Sequence, residues 1–354
     1  MCNSFNPKIS KTVKYCELGN TGLSIPKVAL GCGFRGLFSA SEARVVIDAA
    51  IDRGIYLIDC ANVYRLRDGE YSETVLGAAI KNKRNKIVIT SKYGAPLTLD
   101  SGKCLCGASS KTLFECVDIS LRRLKTDYID CLLLHGPDST TSMIEIIAGF
   151  DKLCRQGKIR CYGFCNHDAN LLLKAIAIAK ENGLIEPAVI QNPYNLLNRG
   201  VENQLLDVVD NYNLGFLAYS PLATGLLSGS FSKNGTVPQK STWSYNEKYR
   251  EYLEFFFRGR IEEIVGRIEE IASEIHSTSY CVALAWVLSK KQVTSCIVGP
   301  DTITELDELL KVFSCSIPEE IINELDELSL GMNENFTAPA VASKVDKYIK
   351  ERKD

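Results

Sequence analysis

The chain has 354 residues, 45% of them hydrophobic, enough to bury a large core as one barrel or as two smaller domains. Its 41 basic and 43 acidic residues leave a net charge of −2, which gives no electrostatic reason to expect nucleic acid or an anionic membrane as partner. The first residues, from Met1 to Pro7, lack the apolar core of a secretory signal and no run is long enough to span a bilayer, so a cytoplasmic location is expected.

From the N-terminus, residues 15–25 hold two short strand candidates around Leu18, Gly19, Asn20, Thr21 and Gly22, a hairpin expected to cap the floor of a barrel. Val28, Ala29 and Leu30 form a first buried strand. Gly31, Cys32, Gly33, Phe34, Arg35 and Gly36 follow, then a helix over 41–53 capped by Ser39 or Ser41. These glycines match the dinucleotide fingerprint G-x-G-x-x-G between a strand and a helix, and Asp59 ends the next strand, where a ribose-binding acid would stand. A Rossmann domain is therefore a competing reading.

Further strand-like runs at 55–58, 87–91, 130–134, 159–165, 189–191, 215–219 and 294–298 alternate with helical patterns over 73–81, 113–124, 143–155, 169–181, 201–211, 261–276, 280–289 and 302–312. A helix over 319–328 precedes a tail, 331–354, and the polar loop 229–249 has the length of a lid or binding element. Eight strand–helix units after a hairpin is the count of a (β/α)8 barrel. A Rossmann domain needs about six strands and a separate substrate domain, and no linker divides this chain. The expected fold is α/β: a single (β/α)8 TIM barrel domain over 1–354, with an N-terminal β-hairpin and extra C-terminal helices. In it Gly31, Gly33 and Gly36 lie in the first rim loop, where a missing Cβ lets backbone approach a ligand.

The 14 cysteines are spread through expected strands and helices, as reduced thiols that fill a core would be. Only Cys104 and Cys106 are closely paired. They have no second pair at zinc-type spacing, and with three histidines in the chain no metal is expected.

Three strands end in ionisable side chains. The run Leu57-Ile58 delivers Asp59 and, five residues on, Tyr64; 87–91 delivers Lys92; 130–134 delivers His135. In a parallel barrel all four would stand on one rim. Tyrosine is a general acid at neutral pH only if its conjugate base is stabilised; Lys92 would do this, held by Asp59. A neutral His135 would orient a substrate carbonyl toward Tyr64. Taken singly each residue has an ordinary structural role, but an unpaired lysine at the end of a buried strand would be costly, so the joint occurrence points to proton transfer.

With these residues on view, the chain resembles the aldo-keto reductase superfamily from Tyr15 to about Leu328. The resemblance rests on Asp59 with Tyr64, on Thr90-Ser91-Lys92-Tyr93-Gly94, on the run from Ser120 to Asp130, on His135-Gly136-Pro137-Asp138 and on Gly157-Lys158-Ile159-Arg160. It implies an NAD(P)(H)-dependent oxidoreductase acting on the carbonyl of an aldehyde, ketone or sugar-like substrate, with Tyr64 as proton donor and Asp59, Lys92 and His135 completing a tetrad. It also implies that Asn166 and Gln191, with Cys165 beside them, hold the nicotinamide carboxamide and that Tyr219 stacks on its ring. Ser220, Leu222 and Gly225 would line the pyrophosphate, and Gly33 would approach the cofactor.

Two departures bear on the cofactor. Cys165 stands where a serine is usual, replacing a hydroxyl donor with a weaker thiol. The segment Gly299 to Leu309 resembles an adenine-ribose site but supplies Asp301, Glu305 and Glu308 in place of the usual basic residue. NADP(H) is expected, with NAD(H) as the alternative. Substrate contacts are expected from Phe34, Arg35, Tyr93, the 229–249 loop and the tail. The competing functions are a cofactor-binding regulatory or sensing subunit with the same fold, and a sugar dehydrogenase working oxidatively with NAD.

Overall fold

The structure, a computed structural model, describes residues 13–34, 37, 39–230, 257–336, 343, 344 and 347. Arg35, Gly36, residues 231–249 of the expected long loop and nearly all of the tail past 336 lie outside the described residues. An antiparallel hairpin comes first, β1 (Tyr15–Glu17) with β2 (Ser24–Pro26). Then come β3 (Val28–Gly31), β4 (Leu57–Asp59) and β5 (Val88–Tyr93), a small hairpin of β6 (Leu97–Thr98) and β7 (Cys104–Leu105), and β8 (Ile129–Leu134), β9 (Ile159–Cys165), β10 (Val189–Pro193), β11 (Gly215–Tyr219) and β12 (Val293–Val298). The eight long-range strands close a parallel barrel in the order β10-β11-β12-β3-β4-β5-β8-β9. A Rossmann sheet is open, so the closed barrel removes that reading.

The barrel follows from strands that are apolar on both faces. All six residues of β8, Ile-Asp-Cys-Leu-Leu-Leu, are buried, as strands covered by helices outside and side chains inside must be. Its one acid, Asp130, survives there because Arg84 Nη2 and the Ile89 amide donate to its Oδ2 at 2.7 and 2.9 Å. The helices α1 (Ala40–Asp52), α2 (Ser72–Ala79), α3 (Ser110–Leu124), α4 (Met143–Arg155), α5 (Ala169–Glu181) and α6 (Leu205–Asn211) alternate with the strands, and Arg260–Glu274, Ser279–Ser289, Ile303–Leu310 and Glu319–Leu328 complete the coat. Their starts are written locally. Ser39 and Glu42 form a reciprocal capping box on α1, and Ser109, Ser142 and Asp168 each accept from the third amide of their helix, worth about 1 kcal/mol apiece.

The hairpin caps the floor as expected, with the fully buried Leu18 packed against Gly215, the first residue of β11. Gly31 has a packing reason as well as a rim position, because a Cβ there would come within 2.8 Å of Ile297 Cγ2 on the neighbouring β12.

Three local expectations change. β5 runs two residues further than expected, to Tyr93, because Lys92 and Tyr93 pair with Leu133 and Leu134 of β8. The loop after it carries the unexpected β6–β7 hairpin, which displays Cys104 and Cys106 as exposed free thiols. The helix expected over 201–211 is a 3-10 turn (Gly200–Asn203), a break at Gln204 and then α6. Tertiary contacts override the helical pattern there: Arg199 binds Glu202 at 2.7 Å and Ser329 Oγ at 2.9 Å, and Tyr194 donates to Glu202 at 2.6 Å. No helix among the described residues is long and apolar enough to cross a membrane.

Candidate active site

Asp59 ends β4, and Thr90 and Lys92 stand two residues apart on β5, hence on one face of that strand. Lys92 Nζ lies 2.8 and 2.7 Å from the two Asp59 oxygens and 2.9 Å from the Cys60 carbonyl. Asp59 Oδ1 also accepts from Thr90 Oγ1 at 2.5 Å and from Gln191 Nε2 at 2.9 Å. Asp59 is 4% exposed and Lys92 1%. Burial alone would lower the lysine, but the adjoining carboxylate outweighs it and holds the ammonium above the ordinary lysine range. Lys92 is thus a permanent positive charge.

The other two tetrad residues come from loops. Tyr64 leaves the loop after β4 half-buried, with Lys92 Nζ 5.0 Å from its ring centroid and the His135 ring edge-on at 5.7 Å and 74°. His135 follows β8 directly, its amide bonded to Tyr93 O at 2.8 Å. Burial first, then the Lys92 charge, pushes His135 down to about 4 against the opposing pull of Asp59, so its imidazole is neutral at physiological pH. The four residues converge as expected.

Beside them, Asn166 sits exposed at the end of β9 in a left-handed conformation, φ 60°, donating to His135 O at 2.9 Å and accepting from Tyr219 OH at 2.6 Å. Cys165 donates to Gln191 Oε1 at 3.6 Å. Burial pushes this thiol up to about 12, against the lowering pull of Lys92, so it remains a protonated donor. Gln191 is turned inward at 2% exposure, toward Asp59. The expected carboxamide seat is therefore bonded to the Lys92–Asp59 pair through Gln191 and to the His135 carbonyl through Asn166.

The segment after β11 is a tight turn. Ser220, Ala223, Thr224 and Gly225 all have positive φ, at 51°, 49°, 57° and 94°, in a turn where Ala223 N donates to Ser220 O and Gly225 N to Leu222 O, both at 2.9 Å. Asn195 Nδ2 fixes the Ser220 carbonyl at 2.9 Å, and Leu222 is half-buried within the turn. The exposed Asn166 amide and the Tyr219 phenol stand beside this turn, polar groups of the kind a nicotinamide dinucleotide needs.

The acidic segment divides. Gly299 is exposed just after β12. Glu305 turns back onto the start of its own helix, where its carboxylate accepts from Asp301 N at 2.8 Å, and Glu308 pairs with Lys311 at 2.5 Å. Of the expected substrate contacts, Phe34 is buried in the loop after β3, next to the half-buried Gly33. Tyr93 is not at the mouth. Alternation along β5 sends it outward when Lys92 points inward, and its ring packs edge-on against Phe150 of α4 at 5.6 Å. Arg35 lies outside the described residues.

Sequence reasoning missed Thr90, though its place two residues before Lys92 on the same strand face was a usable signal. It also missed the pairing of buried Glu73 with half-buried Arg123, for which no local pattern exists. Among the described residues no three His, Cys, Asp or Glu side chains gather as a metal site.

Comparison with known proteins agrees with this geometry. Residues 28–330 match the sequence model of the Aldo/keto reductase family. The chain is 31% identical over 308 residues to an uncharacterized oxidoreductase, YrpG, of Bacillus subtilis (strain 168), covering 84% of this chain and 90% of that protein. It is 29% identical over 307 residues to a probable voltage-gated potassium channel subunit beta of Arabidopsis thaliana, with the same coverage. A putative subunit of the same description from Schizosaccharomyces pombe (strain 972 / ATCC 24843) is 32% identical over 309 residues, covering 83% of this chain and 87% of that one. With a closed eight-stranded parallel barrel and a family match spanning nearly all of it, the chain belongs to the aldo/keto reductase family.

Proposed function

We propose that the protein transfers hydride between a nicotinamide cofactor and the carbonyl of an aldehyde, ketone or sugar-like substrate, with Tyr64 as the proton donor. The observation that carries this reading is the buried Lys92–Asp59 pair set beside the Tyr64 ring and a neutral His135. The bound cofactor supplies the hydride. Lys92 provides the positive field in which the Tyr64 phenol can release its proton to an oxygen gaining negative charge. Asp59, fixed by Thr90 and Gln191, keeps the ammonium in place. His135 donates a hydrogen bond that orients the carbonyl oxygen. Asn166, Gln191, Cys165 and Tyr219 would seat the nicotinamide, and Ser220, Leu222 and Gly225 the pyrophosphate.

The cofactor assigned is NADP(H), with NAD(H) the alternative that Asp301 favours. Glu305 and Glu308 are each engaged elsewhere, with the Asp301 amide and with Lys311, which weakens the case against a 2′-phosphate. The test is oxidation of NADPH and of NADH by the purified protein across aldehydes, ketones and sugars, followed by absorbance. Turnover with at least one carbonyl is the expected result.

A second reading is favoured by the relatives described as potassium channel beta subunits: a cofactor-binding subunit that regulates another protein. The complete tetrad supports the enzyme instead. Tight cofactor binding with no carbonyl turned over would reverse that order.

A further inference from the structure

Tyr64 stands on a loop closed at its neck. Its carbonyl accepts from Ser72 N at 3.0 Å and Ser72 Oγ at 3.2 Å, and Arg65 bridges to Tyr71. Upstream, Asn62 N donates to Lys92 O at 3.3 Å, while Asn62 O accepts from Arg123 Nη1 at 2.7 Å. The same Arg123 nitrogen lies 3.3 Å from Glu73 Oε2, and the other Glu73 oxygen accepts from Ser91 Oγ at 2.7 Å. Ser91 is the residue before Lys92. The Arg123 guanidinium also lies over the Tyr71 ring, 3.3 Å from its centroid, as does that of Arg65 at 3.8 Å.

Glu73 is wholly buried. Burial pushes its carboxyl upward, against hydrogen bonds from Ser91 and Ser120 and the charge of Arg123. A buried ion pair is a poor source of stability, since an apolar pair of equal volume often serves as well or better. What such a pair does supply is direction, through hydrogen bonds that tolerate one arrangement. Here those bonds join the strand that carries Lys92, through Ser91, to the loop that carries Tyr64, through Asn62.

We infer that Glu73 and Arg123 are positioning residues that set the Tyr64 phenol against Lys92, acting through Asn62 and Ser91. The inference rests on the carbonyl-reductase reading. Arg123 is reached from outside by a groove of 280 Å³ lined by Tyr71, Leu99, Asp100, Ile119, Arg122 and Arg123. A guanidinium ion has a route to the place its side chain would vacate.

The experiment compares wild type with Arg123→Ala, measuring kcat with a carbonyl substrate and cofactor Kd by fluorescence titration. Misplacement of a reacting group by about 1 Å costs up to roughly a hundredfold in rate, so kcat should fall about 10- to 100-fold while cofactor Kd stays within about twofold. Millimolar guanidinium, but not urea, should restore kcat about fivefold or more, a recovery that general loosening would not give. If Arg123→Ala does not fold, Glu73→Gln combined with Arg123→Met leaves no lone buried ion and should show the same split between kcat and Kd. A variant kcat within twofold of wild type, or joint loss of kcat and cofactor binding without recovery, would overturn the inference while the functional reading stands. A wild type that turns over no carbonyl overturns that reading and this inference with it.

Discussion

Lys92 donates to both oxygens of Asp59, at 2.8 and 2.7 Å, with neither side chain open to solvent. The pair serves the proposed proton transfer, but it also binds each residue's stability to the other's presence.

Removing one partner should therefore unfold more protein than removing a surface charge does. Asp59→Ala leaves an ammonium buried without its counterion, a situation that costs about 3–5 kcal/mol. Asp59→Asn keeps hydrogen-bond acceptance and should cost less. Urea denaturation at pH 7 measures both, and a loss below about 1 kcal/mol for Asp59→Ala would show that Lys92 has another way to stay charged.

Tyr64→Phe removes the proposed acid and almost no volume. Carbonyl reduction should drop about 10²- to 10⁴-fold, the usual worth of a general acid, with cofactor affinity within about twofold of wild type. Lys92→Met should resemble it, since the phenol then lacks its positive neighbour. Near-normal turnover by Tyr64→Phe would end the assignment of Tyr64 as donor.

His135 gives a pH signature. Its folded value, about 4, lies below the ordinary 6.5, mainly because it is buried and then because Lys92 repels the proton. A histidine depressed in this way contributes stability that is present above pH 6.5 and lost as pH falls toward 4, because the unfolded chain binds the proton first. The loss is on the order of 2–3 kcal/mol. Denaturation curves between pH 7 and 4 should show a smaller acid loss for His135→Asn, and parallel curves for the two proteins would refute the shift.

Cofactor preference should respond to Asp301 and hardly to Glu308. A carboxylate about 6 Å from a 2′-phosphate costs on the order of 2–3 kcal/mol at an effective dielectric near 20. Asp301→Arg should thus raise the ratio of kcat/KM for NADPH over NADH by tenfold or more. Glu308 is paired with Lys311, so Glu308→Gln should leave the ratio within about twofold. Equal responses at both positions would mean that this segment does not face the adenine ribose.

How much of this was legible beforehand follows from the range of the forces involved. β9, β11, α4, α5 and the helix Glu319–Leu328 match the boundaries read from periodicity, because side-chain spacing, caps and stop residues act within a few positions. Counting strand–helix units then separated a barrel from the Rossmann decoy at Gly31, and strand ends located Asp59, Lys92 and His135, since parallel strands carry their last residues to one rim. Tyr93 shows the limit, since its side depended on β5 extending past Ser91, which was decided by pairing with β8. The break before α6 came from Arg199 meeting Glu202 and the C-terminal helix, 127 residues away for the Asp326 carbonyl. Only the closed barrel brought Gln191 to Asp59 across 132 residues and Arg123 to Asn62 across 61. Hydrogen bonds and ion pairs of this kind leave no periodic trace along the chain, because their partners are chosen by where the backbone delivers them.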